Sequence, residues 1–320
     1  MVRRVTSPKM RLISKSSRCA RKIAFLLFVL SFLDAGQSNI SRYATAQAGE
    51  FLVAVLVQPN YYFRTAQHDV ALISKMANAI FVQAGKYKSY QQKYLKPTLD
   101  LAQQYQLKVF LEYYAIQDGD TNLETLVTQF GSHPAVLGFK VMDELGGGHD
   151  AAYWANFLKQ RRDIIRAHSD KPILVDIIPW SFWAADNVWY KVNYQGASSE
   201  AIDRYISSGL IDILILSVDV RYATISRVLP EAEGRWGRQV KIMSRTSGSF
   251  KGETYGGAGM SAEKVRLVTQ AAIDARSAGA IGIYYYAWQH DGYRILNRDG
   301  SSNPLYEALV DNFKLLQSVR

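Results

Sequence analysis

Asp143 and Glu144 stand side by side at the end of the apolar run Val136-Leu-Gly-Phe-Lys-Val-Met142. His133-Pro-Ala precedes the run, and Gly146-Gly-Gly148 and a long helical pattern follow the acids. The segment reads as a loop, a short strand and a flexible turn. In a parallel α/β protein, helices cover the sheet faces, so chemistry collects at the carboxyl ends of strands. Two acids there suit the protonation or stabilisation of a charged intermediate. Partial burial beside a second carboxylate would raise the pKa of one of them. The structural alternative is a pair that caps or tethers the next helix. Glu144 is the candidate proton donor and Asp143 is expected to orient or tune it; successive strand residues point to opposite sides, so both need not face the pocket.

The elements that would position this pair form an alternation that repeats eight times. Strand candidates are Phe51–Gln58, Ala79–Gln83, Lys108–Tyr114, Val136–Met142, Ile173–Ile178, Ile211–Val218, Val240–Ser244 and Ala280–Ala287. Helical patterns fall near Gln67–Ala77, Tyr90–Tyr105, Leu123–Phe130, Ala151–Ala167, Glu200–Ser208, Ala223–Glu233, Ala262–Ala278 and Pro304–Leu315. The strands are near-continuous apolar runs, as expected when helices bury both faces. Eight such units match a single (β/α)8 TIM barrel of about 250 residues. An open doubly wound sheet would usually carry a glycine-rich turn after its first strand. Here that turn reads Val57-Gln-Pro-Asn-Tyr-Tyr62, without glycine, and the barrel is favoured.

The strand ends then predict the active face. They carry Gln58, Asn60, Tyr61, Tyr62, Gln83, Glu112, Tyr113, Tyr114, Asp176, Trp180, Trp183, Asp219, Arg221, Tyr222, Ser244, Arg245, Tyr286, Trp288, Gln289, His290 and Asp291. Carboxylates and amides bond hydroxyls, and Trp and Tyr stack on the C–H faces of sugar rings, so a carbohydrate is the expected partner. Asp219 is the best second carboxylate, with Asp176 and Glu253 behind it. Glu112 and Lys140, on adjacent strands, form either an ion pair inside the barrel or part of the site. Trp180, Trp183 and Trp189 lie in the long polar loop after strand five and suggest a glycan-binding ridge. Gly252-Glu-Thr-Tyr-Gly-Gly-Ala-Gly259 is either a mobile lid or a long turn. Histidines at 68, 133, 149, 168 and 290 have no metal-ligand spacing, so neither metal nor cofactor is expected.

The chain opens with Arg3, Arg4, Lys9, Arg11, Lys15, Arg18, Arg21 and Lys22, and then the uncharged run Ile23–Leu33. About 20 apolar residues are needed to span a bilayer, so this run fits a secretory signal peptide better than a membrane helix. Cleavage is expected after Ala44-Thr-Ala46, after Ala46-Gln-Ala48, or near Ala35; the alternative is an uncleaved anchor, the one expected link to a membrane. Residues 1–48 form this leader and 49–320 one barrel domain, expected to be secreted or periplasmic and monomeric. Residues 1–46 hold nine Lys or Arg against Asp34, a charge of +8 out of the chain's +10. About +2 remains for the rest, so the basicity is no argument for nucleic-acid binding. The single cysteine, Cys19, lies in the leader. The mature chain has no disulfide or thiol nucleophile, which suits a domain with a large core.

At this point the chain resembles the glycoside-hydrolase-like (β/α)8 barrels. His133–Glu144 looks like their strand-four segment, which ends on the proton donor. Asp212–Asp219 looks like their strand six. Gly282-Ile-Tyr-Tyr-Tyr-Ala-Trp288, with Asp299-Gly300 and Pro304-Leu-Tyr306, looks like their strand eight and closing helix. The resemblance implies Glu144 as general acid or acid/base and Trp288 as a floor for the sugar; a core role for Trp288 competes with that floor. One departure stands out. Many retaining members end strand seven on a glutamate nucleophile, whereas Val240–Gly248 contains no carboxylate and the next is Glu253. Two functions follow: a glycoside hydrolase acting on a poly- or oligosaccharide, or a non-catalytic carbohydrate-binding or scaffold protein on a degenerate barrel.

Overall fold

The computed structural model describes residues 50–57, 66–84, 91–113, 121–183, 186–218, 225–247, 261–286, 288–290, 293–297 and 300–318. They belong to one compact unit, Gly49–Arg320. The leader and its cleavage sites lie outside the described residues. So do Tyr114, Asp219 and Glu253, the strand-one turn and the glycine-rich run at 252–259.

Eight parallel strands close into a barrel in chain order: β1 (Leu52–Val57), β2 (Ala79–Gln83), β3 (Lys108–Glu112), β4 (Val136–Leu145), β5 (Ile173–Ile177), β6 (Ile213–Ser217), β7 (Lys241–Ser247) and β8 (Gly282–Tyr286). Each strand candidate read from the sequence is present, with ends moved by up to three residues. Helices α1 (Ala66–Ile73), α2 (Lys96–Gln104), α3 (Thr121–Phe130) and α4 (Ala151–His168) follow β1 to β4 in turn. Beyond β5 the chain forms α5 (Trp180–Trp183), α6 (Val188–Asn193), a 3-10 turn (Gln195–Ala197) and α7 (Ser199–Ser207). The polar loop expected there is thus largely helical. Helices α8 (Ile225–Trp236), α9 (Ala262–Ser277) and α10 (Pro304–Ser318) complete the shell.

The period of two along each strand sorts side chains into two layers. Val53, Val55, Ile80, Val82, Val109 and Leu111 face the helices. Leu52, Ala54, Leu56, Phe81, Phe110, Leu174, Ile215 and Met243 fill the barrel. The interior is tight enough to require glycine on β8, where a Cβ at Gly282 would lie 2.4 Å from the Leu52 carbonyl oxygen. Local caps fix the helix that follows the acidic pair: the Asp150 side chain accepts from the Tyr153 N–H at 2.8 Å, a cap worth about 1 kcal/mol.

Candidate active site

A backbone irregularity builds the centre of the site. Lys140 and Asp143 are three residues apart, and a regular strand would send them to opposite faces. Instead Lys140 Nζ donates to Asp143 Oδ1 at 2.6 Å. Lys140 pairs with Leu174 and Met142 with Val175, so two steps along β4 match one along β5. Val141 is the extra residue of a β-bulge. Val141 and Met142 both lie in the layer beneath the helices, and Asp143 turns inward. The Val141 carbonyl is bound by Arg161 Nη1 of α4 at 2.6 Å. Arg161 is itself buried, with its guanidinium 4.0 Å from the Phe157 ring centroid and 5.1 Å from that of Tyr113.

Around Asp143 a plug of paired charges closes the top of the barrel. Lys140 Nζ donates to Glu112 Oε1 at 2.9 Å and lies 3.4 Å from Asp176 Oδ2. Arg245, from β7, sends Nη1 to Asp143 Oδ1 at 2.7 Å and to Asp176 Oδ2 at 2.6 Å. Ser217 Oγ donates to Asp176 Oδ1 at 2.6 Å. Aromatic rings wall the cations: Lys140 Nζ is 5.1 Å from the Tyr284 centroid, and Arg245 is 4.6 Å from that of Tyr286. A buried ion costs several kcal/mol unless paired, and removing one partner of such a pair costs about 3–5 kcal/mol.

The charges are unevenly shared. Burial works against the Asp143 carboxylate, but Arg245 and Lys140 outweigh it and hold its pKa well below the usual range. Burial likewise opposes the Lys140 and Arg245 charges, yet the carboxylates around them raise both pKa values well above normal. Glu112 goes the other way. Burial raises its pKa against the pull of Lys140, and its Oε2 is buried without a hydrogen-bond partner among the described residues.

Glu144 differs from all of these. Its side chain is 45% exposed, with Oε1 3.5 Å from Arg245 Nη1. Burial raises its pKa; Arg245 opposes this, and the charges of Asp143 and Asp176 add to it. Its backbone takes φ +48°, in the left-handed region, at a cost of roughly 1–2 kcal/mol for a residue with a Cβ. Strain of this kind concentrates at functional sites. The following loop is braced from the side. Gly146 has φ +119°, and a Cβ there would lie 2.5 Å from Ala197. Gly148 N–H donates to the Asn193 carbonyl at 2.9 Å.

One carboxyl with a raised pKa therefore sits at the rim over a fixed plug of charge. That arrangement can donate a proton to a leaving group. Asp143 and Asp176 are tied up by cations, and Asp176 is fully buried. Arg245 on β7 presents a guanidinium towards Glu144, and the strand Lys241–Ser247 carries no carboxylate. Among the described residues no group of three or more His, Cys, Asp or Glu could hold a metal ion.

The aromatic expectations need correction. Trp180 is 6% exposed and its Nε1–H donates to the Tyr194 carbonyl at 2.9 Å, so it is a core side chain and no part of a surface ridge. Trp288 is 2% exposed and meets Tyr306 edge-on at 6.2 Å between centroids, a placement that suits the core alternative. Tyr286 is half-buried beside Arg245, and burial pushes its phenol up to about 12. Sequence reasoning missed Arg161 and Ser217, and it placed Arg245 at a strand end without a role. An Arg at an inward position of an apolar strand was the available signal for Arg245. Nothing along α4 marks Arg161.

No protein-family model matches the chain, and no curated protein matches it. Among solved structures, it is similar to a β-glucuronidase from Ruminococcus gnavus bound to D-glucuronic acid. That likeness has 11% identity and a TM-score of 0.58, covering 82% of this chain and 49% of that one. It is also similar to an endocellulase from Pyrococcus horikoshii bound to cellotetraose, with 15% identity and a TM-score of 0.59, covering 83% of this chain and 92% of that one. The chain thus spans about half of the glucuronidase and nearly all of the endocellulase. Both neighbours are glycoside hydrolases, and at these identities the likeness establishes the (β/α)8 barrel fold.

Proposed function

We propose that the protein is an exported glycoside hydrolase acting on a poly- or oligosaccharide, with Glu144 as general acid. The observation that carries this reading is the contrast within one dipeptide. Asp143 is paired directly with Lys140 and Arg245, at 2.6 and 2.7 Å, whereas Glu144 stands 45% exposed at the rim, and their pKa values are pushed down and up respectively. The two neighbours named above, both glycosidases on this fold, support the carbohydrate class. Replacing Glu144 by Gln should leave folding intact and lower turnover of natural glycans at least about a hundredfold, the scale of a positioned acid. Unchanged turnover would sink the mechanism.

A second reading is favoured by Arg245 at the end of β7: a barrel that binds carbohydrate without cleaving it. Binding without turnover in the wild-type protein would select it. Export belongs to the proposal through the basic leader and the apolar run Ile23–Leu33. The mature protein should begin between Gly36 and Gly49 on N-terminal sequencing, and an intact Met1 from an exporting host would count against cleavage.

A further inference from the structure

Helix α6, in the connection that follows β5, exposes a compact apolar face. Val188 is 71% exposed, Trp189 57% and Val192 62%. An apolar patch of this size is within the ordinary range for a protein surface, and such patches are often functional. The ring of Trp189 packs against two tyrosines. It meets Tyr190 edge-on at 5.1 Å and Tyr194 at 5.6 Å between centroids. Asn187 caps the helix, its Oδ1 accepting from the Trp189 N–H at 3.0 Å, and Asn193 Nδ2 donates to the Trp189 carbonyl at 2.8 Å.

This face is continuous with the acid's loop. Asn193, the last residue of α6, accepts the Gly148 N–H. Tyr194 follows it, and its ring lies 3.5 Å from where a Gly147 Cβ would stand. Burial and then the charge of Glu144 raise the Tyr194 phenol's pKa, as expected if the two side chains are near each other.

Resting on the glycosidase reading, we propose that Trp189, flanked by Val188 and Val192, is a binding platform for a stretch of glycan chain beyond the one cleaved at Glu144. A flat indole between two aliphatic side chains fits the C–H face of a pyranose. Exposed Lys191, Asn193 and Gln195 around it supply partners for hydroxyls. A second copy of the chain fits less well. Three side chains of this size expose roughly 300 Å², far below the ~800 Å² per partner of a stable interface.

Native electrophoresis through gels cast with hydroxyethyl cellulose, polygalacturonate or chitosan tests the platform. Wild-type protein and Glu144→Gln should both be slowed by one of these polymers. Trp189→Ala should bind that polymer about 5- to 100-fold more weakly, by analogy with ring stacking elsewhere, and Trp189→Phe should recover much of the loss. Equal retardation of wild type and Trp189→Ala overturns the platform, as does no retardation of wild type by any of them. So does a Trp189-dependent dimer in sedimentation, or Trp189-dependent binding to lipid vesicles in place of polymer. The Glu144→Gln arm separates the two ideas: retardation that requires Trp189, with turnover indifferent to Glu144, would spare the platform and sink the acid.

Discussion

Asp143 and Glu144 are chemically near-identical neighbours, and their surroundings push their pKa values in opposite directions. Asp143 faces two cations whose own charges are sustained by the carboxylates around them. For Glu144, burial together with the charges of Asp143 and Asp176 outweighs Arg245, 3.5 Å away, and the weaker pull of Lys140. A raised pKa keeps the proton on Glu144 further up the pH scale, so turnover should fall as pH rises through that value. The role can be tested through the leaving group. A sugar alcohol departs poorly as an alkoxide, and a positioned acid supplies about 10²–10⁴-fold. Glycosides with an activated aryl leaving group need no such proton. Glu144→Gln should therefore lose far less on aryl glycosides than on natural glycans, measured as kcat/KM for each. Equal losses on both would remove Glu144 from the acid role.

At the scale of the element, β4 decides what the dipeptide can do, and the deciding feature was hidden in the sequence. The eight strands were legible because helices bury both of their faces, leaving unbroken apolar runs such as Leu52–Val57 and Ile213–Ser217. The acidic pair at the end of β4 was legible for the same reason, since it interrupts such a run. The bulge at Val141 was not. Val and Met suit a regular strand as well as a bulged one, so parity alone left open which acid faces inward. Arg161 was equally silent, one of several charged residues on α4, and only packing brings it to the Val141 carbonyl. That contact predicts a positioning role. Arg161→Met should cost about 1–3 kcal/mol in stability from the carbonyl left without its partner. It should also shift the basic limb of the pH–activity profile, because Asp143 and Glu144 would move relative to each other. Arg161→Lys should restore part of both effects. A lower Tm with an unmoved pH profile would make Arg161 a packing residue only.

For the molecule as a whole, stability against pH is set by carboxyls shifted in opposite directions, Asp143 downward by its two cations and Glu233 upward by burial. Asp143, lowered, stabilises the fold above its unfolded value of ~3.9, and that stability is lost as pH falls. Glu233 acts with the opposite sign. It lies in the last turn of α8, where the helix dipole disfavours a negative charge. Its carboxyl folds close to Gly237, where a Cβ would lie 2.0 Å from Oε2. Burial raises its pKa to about 7, with Lys241 pulling the other way. A folded pKa above the unfolded ~4.3 means that the native state holds this proton more tightly. The stability it confers is fully present below ~4.3 and drains away as pH rises to about 7. Burial raises Glu112 and Glu144 as well, which adds to the same trend. Glu233→Gln, which never ionises, should therefore raise the Tm at pH 8 and leave it nearly unchanged at pH 4.5. Thermal melts of both proteins at the two pH values check this. An equal shift at both would mean that the substitution acts through packing against Gly237, and that the titration lies elsewhere.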